Sequence, residues 1–273
     1  MESTTARLQR IRQNEANSHI DVYTHEKLYD SDTWLKKPIK TVQDLMSSFS
    51  GYKELRVLDL GSGVGRNSIY IAKTFQGESC SIDCVDLLDV AIEILEKNAE
   101  EHNVGNRING IVKAIEDFHI TEDSYDLILA VSALEHIDSE RHFTDKLSEI
   151  SQGIRDGGIV CLVINSEVTE VDPDTNKALE PNYEINLKAE QILNYLDEIF
   201  GGWTIIKKNT TDQKYDIPRD GITSCLSTKV ISFVARKGKQ FVHKTFEERL
   251  SEYNGEITVC DFDWGEPIGR EIL

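Results

Sequence analysis

Residues 59–65 read Asp-Leu-Gly-Ser-Gly-Val-Gly, an acid followed by three alternating glycines between an apolar run and a helical pattern. Gly61, Gly63 and Gly65 allow a tight turn and let main chain approach a ligand closely. A dinucleotide fingerprint needs a small residue where Arg66 stands. The Walker pattern is missing too, because no Lys-Ser/Thr follows the glycines. Asp59 would repel a pyrophosphate but pair well with the ammonium of a zwitterion. The loop therefore favours a nucleoside amino acid over a dinucleotide.

The elements that must position this loop can be read from apolar runs. Strands are expected at 55–60, 81–85, 108–113, 125–131 and 158–164, separated by helical patterns at 68–75, 90–101 and 143–154. Continuous apolar runs imply burial on both faces, hence a parallel sheet covered by helices. Repeated βα units give a doubly wound α/β fold. After 164 the rhythm changes. Residues 165–182 are polar with two prolines and read as a long loop. A helix over 187–200 follows, then strands at 203–207 and 229–235, joined by a polar, turn-rich stretch over 209–227 and able to pair antiparallel. Beyond them a helix is expected at 244–253 and a strand at 257–262. The whole is a seven-stranded, mostly parallel sheet with its last strands antiparallel, plus an N-terminal helical cap. Residues 1–50 form the cap or lid, 51–238 the ligand-binding domain and 239–273 a C-terminal extension.

With these elements in order, the sequence resembles the class I, Rossmann-like S-adenosylmethionine-dependent methyltransferases of the small-molecule type. Their first motif, acid-x-Gly-x-Gly-x-Gly, is matched by 59–65, and Leu134-Glu135-His136-Ile137 is similar to their fourth. Arg66-Asn67-Ser68 after the glycines is similar to the tellurite-resistance subfamily. The resemblance implies S-adenosylmethionine as cofactor, with S-adenosylhomocysteine as product. It implies a cofactor site of Asp59, Gly61, Ser62, Gly63, Gly65 and Asn67 in the loop, and Asp86 and Leu87 after the second strand. Glu116, Asp117 and Phe118 after the third strand and Val131 at the end of the fourth complete it. In the family the second acid binds the ribose diol, and two carboxylate oxygens suit Asp86 to that task. Asp86 would serve equally as the N-cap of the next helix. The third acid meets the adenine amino group, and Asp117 is the first choice, with Phe118 packing on the base.

A sulfonium methyl is already electrophilic, so the protein mainly aligns the nucleophile and removes water. If a base is needed, His136 is best placed and Glu135 second. No Asn/Asp-Pro-Pro-aromatic or Pro-Cys motif follows the fourth strand, and a net charge of −18 repels phosphate backbones. The acceptor expected is a small molecule, with no nucleic acid and no membrane as partner and a homodimer left open. The alternatives are a non-catalytic cofactor- or partner-binding module and a protein methyltransferase. The five cysteines form no CxxC pair, so free thiols in the cytoplasm are expected, with no metal site.

Overall fold

The computed structural model describes residues 3–30, 33–219 and 222–238. The sheet is built on β1 (Glu54–Leu60), β2 (Ser79–Asp86), β3 (Ile108–Val112), β4 (Tyr125–Val131) and β5 (Ile154–Asp172). These run parallel in the order β3-β2-β1-β4-β5. β4 is buried at every position but its last, as a continuous apolar run between two helical layers requires. β6 (Lys177–Leu179) pairs antiparallel with the far end of β5. β8 (Ile222–Arg236) is antiparallel to β5, and β7 (Thr204–Arg219) closes the edge against β8.

The helices are α1 (Thr4–His25), α2 (Lys40–Leu45), α3 (Ser68–Thr74), α4 (Asp89–Glu101), α5 (Glu140–Gly153) and α6 (Ala189–Ile199). Ile71, Leu95, Leu35 and Phe49 join one apolar cluster against one face of the sheet. Phe143, Leu147, Leu196 and Phe200, from α5 and α6, join the cluster on the other. α5 starts before the first apolar residue of its pattern because Ser139 caps it, its Oγ accepting from the His142 N–H at 3.3 Å. β1 sits between β2 and β4, so successive connections leave it in opposite directions. Such a switch point opens a crevice at the carboxyl ends of the strands.

Three expectations need correction. The sheet has eight strands, not seven, because Lys177–Leu179 adds a short eighth. The loop expected over 165–182 is largely strand. β5 runs on to Asp172, with a bulge between Ser166 and Thr169 where Glu167 takes φ +49°. Likewise 209–227 is the body of the long β7–β8 hairpin. The cause is shared. Ser166, Glu170, Ser224 and Thr228 are polar residues at buried strand positions, made tolerable by partners distant in sequence. Ser224 Oγ donates to Glu170 at 2.5 Å, Arg219 also pairs with Glu170, and Ser166 Oγ donates to the Lys229 carbonyl at 2.7 Å. The helix expected over 244–253, the strand over 257–262 and the whole extension 239–273 lie outside the described residues.

Candidate functional site

The chain leaves β1 through a turn that only glycine fits. Gly61 has φ +72°, and a Cβ there would stand 2.4 Å from Ala133 Cβ; Gly63 has φ +52°, and its Cβ would meet the Tyr23 hydroxyl at 2.7 Å. The N–H groups of Gly61 and Ser62 donate to the Val85 carbonyl at 2.8 and 3.1 Å, joining the turn to β2. Gly65 faces inward, where a Cβ would lie 2.3 Å from Leu95 Cδ1, so its smallness serves helix packing. Ser62 Oγ is buried with no partner among the described residues.

Asp86, at the end of β2, accepts from the Gly63 N–H at 2.8 Å and the Leu88 N–H at 3.0 Å. It does not cap α4, whose N-cap is Leu88 with no side-chain cap bond. Its role is to tie the glycine turn to the second strand. Burial pushes its carboxyl above the ordinary range against those two hydrogen bonds. Asp59 lies beneath the turn, 1 % exposed, accepting from Ser68 Oγ. Burial raises it to about 7, against the opposing Ser68 hydrogen bond.

A cavity opens over these strand ends. Its floor is Gly61, Asp86, Leu87, Leu88, Ala114, Ile115, Glu116, Ser132, Ala133, His136 and Asn165; its roof is Arg12, Glu15, Ala16, His19 and Tyr23 of α1 with Tyr183 and Glu184. Ser132, just past β4, holds φ +51°, a strained conformation of the kind that gathers at functional sites. Of the residues expected from sequence, Gly61, Asp86, Leu87, Glu116 and His136 line the cavity together. The others lie off its lining. Asn67 is buried and accepts from the Ile39 N–H at 3.2 Å, holding the N-terminal segment. Asp117 is exposed, Phe118 packs against the apolar cluster of α5, and Val131 is half-buried. Glu135 is buried beside the floor, accepting from the Asn165 N–H at 3.2 Å.

Ion pairs clamp the roof down. Arg12 bridges Glu116 and, at 3.4 Å, Glu184. Arg7 and Arg10 reach Glu180 at 2.7 and 2.8 Å, and Arg7 also donates to the carbonyls of Tyr183 and Glu184. Arg66, the residue that broke the dinucleotide pattern, stands 4.9 Å over the Trp34 ring and donates to the Trp34 carbonyl at 2.9 Å. His136 Nδ1 sits 2.9 Å from Glu184 Oε2, and its ring stacks on Tyr183 at 5.1 Å and 20°. Burial alone would push this imidazole down. The hydrogen bond to Glu184 and the charges of Glu15, Glu135 and Glu184 outweigh it and raise the imidazole to about 9.

The sequence suggests a lid over 1–50 but does not identify Arg12, Glu15, His19 or Glu184 as lining the cavity. Arg12, Ala16, His19 and Tyr23 recur at helical spacing along one face of α1. A stripe of charged and aromatic residues on an otherwise polar helix was the available signal.

Residues 57–158 match the family model described as a methyltransferase domain. Among solved structures the chain is similar to TehB from Haemophilus influenzae, at 20 % identity over 71 % of this chain and 62 % of that one, with a TM-score of 0.54. It is similar to an S-adenosylmethionine-dependent methyltransferase from Methanosarcina mazei, at 13 % identity over 75 % of this chain and 100 % of that one, with a TM-score of 0.52. The [4+2]-cyclase SpnF has the same architecture, at 14 % identity, 84 % and 96 % coverage and a TM-score of 0.54. At these identities the likeness is one of fold.

Proposed function

We propose that this chain, an S-adenosylmethionine-dependent methyltransferase of the class I fold, passes its methyl group to a small molecule held beneath α1. The observation that carries the acceptor class is the roof. α1 and residues 180–184 are ion-paired over the strand ends, so a small molecule fits the space better than a folded partner or a nucleic acid. The residues present suit the cofactor. Asp86 keeps free lone pairs for a ribose diol, Leu87 and Ile115 offer apolar contact to a base, and Glu116 stands at the third strand end in place of the exposed Asp117. Ser62 and the main chain of Gly61 meet the amino-acid end, with Asp59, Gly63, Gly65 and Asn67 fixing the turn.

When bound, the cofactor supplies a methyl carbon on a positively charged sulfur. The chain's part is to align an acceptor, exclude water and take up its proton. His136 is the proton acceptor, and Glu184 orients its ring as the third member of a triad orients a base. Glu135 supports Asn165 and is not itself the base. Residues 1–50 act as the lid that selects the acceptor. The four described cysteines are free, which suits a cytoplasmic location. The outer edge of β7 is where a second copy would pair.

A second reading has one observation in its favour. SpnF is named as a cyclase, so the architecture also serves a catalyst named for another reaction. Incubation of the chain with methyl-labelled cofactor and a small-molecule extract separates the two. Label transferred to a metabolite, and lost in Asp86→Ala, supports methylation. Cofactor binding without transfer supports a site that uses the fold otherwise.

A further inference from the structure

We infer that α1 is an ion-pair-latched gate on cofactor exchange, hinged at its carboxyl end by Tyr23 and latched toward its amino end by Arg7, Arg10 and Arg12. This rests on the reading above, because the molecule that must pass the gate is the cofactor proposed there.

α1 closes onto the floor where a nucleoside would lie. Arg12 pairs with Glu116, which lines the cavity together with Leu87 and Ile115, the residues offered to the base. A molecule seated on those contacts lies beneath α1 and leaves only when that pair parts.

The two ends of the helix are held differently. Tyr23 joins an apolar cluster with Leu28 and Leu35, just beyond the helix, and its hydroxyl rests against Gly63. Tyr29 then donates to the Arg66 carbonyl at 2.6 Å. This end is anchored. Of the 22 residues of α1 only Ile11 and Tyr23 are buried, so Ile11 alone gives the other half a buried apolar contact. Polar contacts hold that half down. Arg7 and Arg10 share Glu180, Arg12 reaches Glu116 and Glu184, and Asn14 Nδ2 donates to Asn182 at 3.3 Å. The catch belongs to the floor. The Ile185 N–H donates to the Glu135 carbonyl at 3.2 Å, and Glu184 holds His136. The side chains of Arg7, Arg10 and Glu180 are 34, 36 and 44 % exposed. Pairs so exposed are weak one by one and screened by salt. Several such contacts suit a lid that must open at every turnover, where a broad apolar interface would keep it shut.

The test follows association and dissociation of labelled S-adenosylhomocysteine with the full chain by rapid mixing. This ligand carries an ammonium and a carboxylate and no net charge at neutral pH, so salt acts on the latch and little on the encounter. Both rates should rise together, about threefold between about 50 mM and about 500 mM salt, and about fivefold in Glu180→Gln. Kd should move far less than either rate, because a gate speeds entry and exit alike. The salt series needs no variant, so a folding defect in Glu180→Gln leaves the test intact. Rates unmoved by either change, or dissociation alone accelerated, overturn the gate and leave cofactor binding standing. No binding of S-adenosylhomocysteine by the wild-type chain sinks the cofactor reading and this inference with it.

Discussion

Glu184 Oε2 lies 2.9 Å from His136 Nδ1 across 48 positions of sequence, and its other oxygen lies 3.4 Å from Arg12 Nε. One carboxylate thus joins α1, the β6–α6 connection and the turn after β4. The His136 ring and the roof over it are held by the same side chain.

That geometry fixes a pH dependence. The proposed base, His136, can act only when neutral, and it is raised to about 9, with Glu184, Glu15 and Glu135 opposing its burial. Turnover should climb as pH rises through about 9. Glu184→Gln removes the largest upward influence, so the limb should move to lower pH while the maximal rate falls. The pair's stabilisation runs the opposite way. It is fully present below about 6.5, the ordinary histidine value, and is lost as pH rises through about 9. A rate profile flat between those limits rules out His136 as the base.

Asp59 makes a separate pH prediction. Its carboxyl is raised to about 7 by burial. A raised acid adds stability at low pH that is lost as pH climbs through that value. Unfolding free energy should fall by about 1 kcal/mol from pH 6 to pH 8 through this group. Asp59→Asn keeps an acceptor for Ser68 Oγ and should flatten that slope in urea titrations. An unaltered slope would contradict the assignment.

Gly61→Ala should destabilise the fold by about 2 kcal/mol or more, through the φ of +72° and the clash with Ala133. Ala133→Gly in the same chain removes the clash and leaves only the backbone cost. Thermal unfolding of the single and double variants should therefore show partial rescue; equal losses would place the strain elsewhere.

The parallel core was legible in the sequence because its strands carry continuous apolar runs, as β4 does over 127–131. The glycine turn was legible because its chemistry is local. The distal half of β5 and the β7–β8 hairpin were not. Their buried positions hold Ser166, Glu170, Ser224 and Thr228, and only the folded partners make those burials tolerable. The roof was hidden for a related reason. Arg12 and Glu184 gain meaning only when α1 folds over the sheet, and no spacing rule connects them.

Arg219→Ala tests the hidden half directly. It leaves Glu170, 1 % exposed, without the guanidinium that answers it. Loss of one partner of a buried pair costs about 3 kcal/mol. Hydrogen exchange should rise along Ile222–Arg236 and the paired stretch of β5, while the glycine turn keeps its protection. Uniform exchange across the sheet would show that the pair contributes nothing local.

The cofactor site itself is tested most directly by titrating S-adenosylhomocysteine into the chain in a calorimeter. The wild-type chain should bind it, and Asp86→Ala should weaken binding about tenfold or more by removing both the proposed diol partner and the anchor of the glycine turn. No binding to the wild-type chain, or binding of NAD in its place, would contradict the site described.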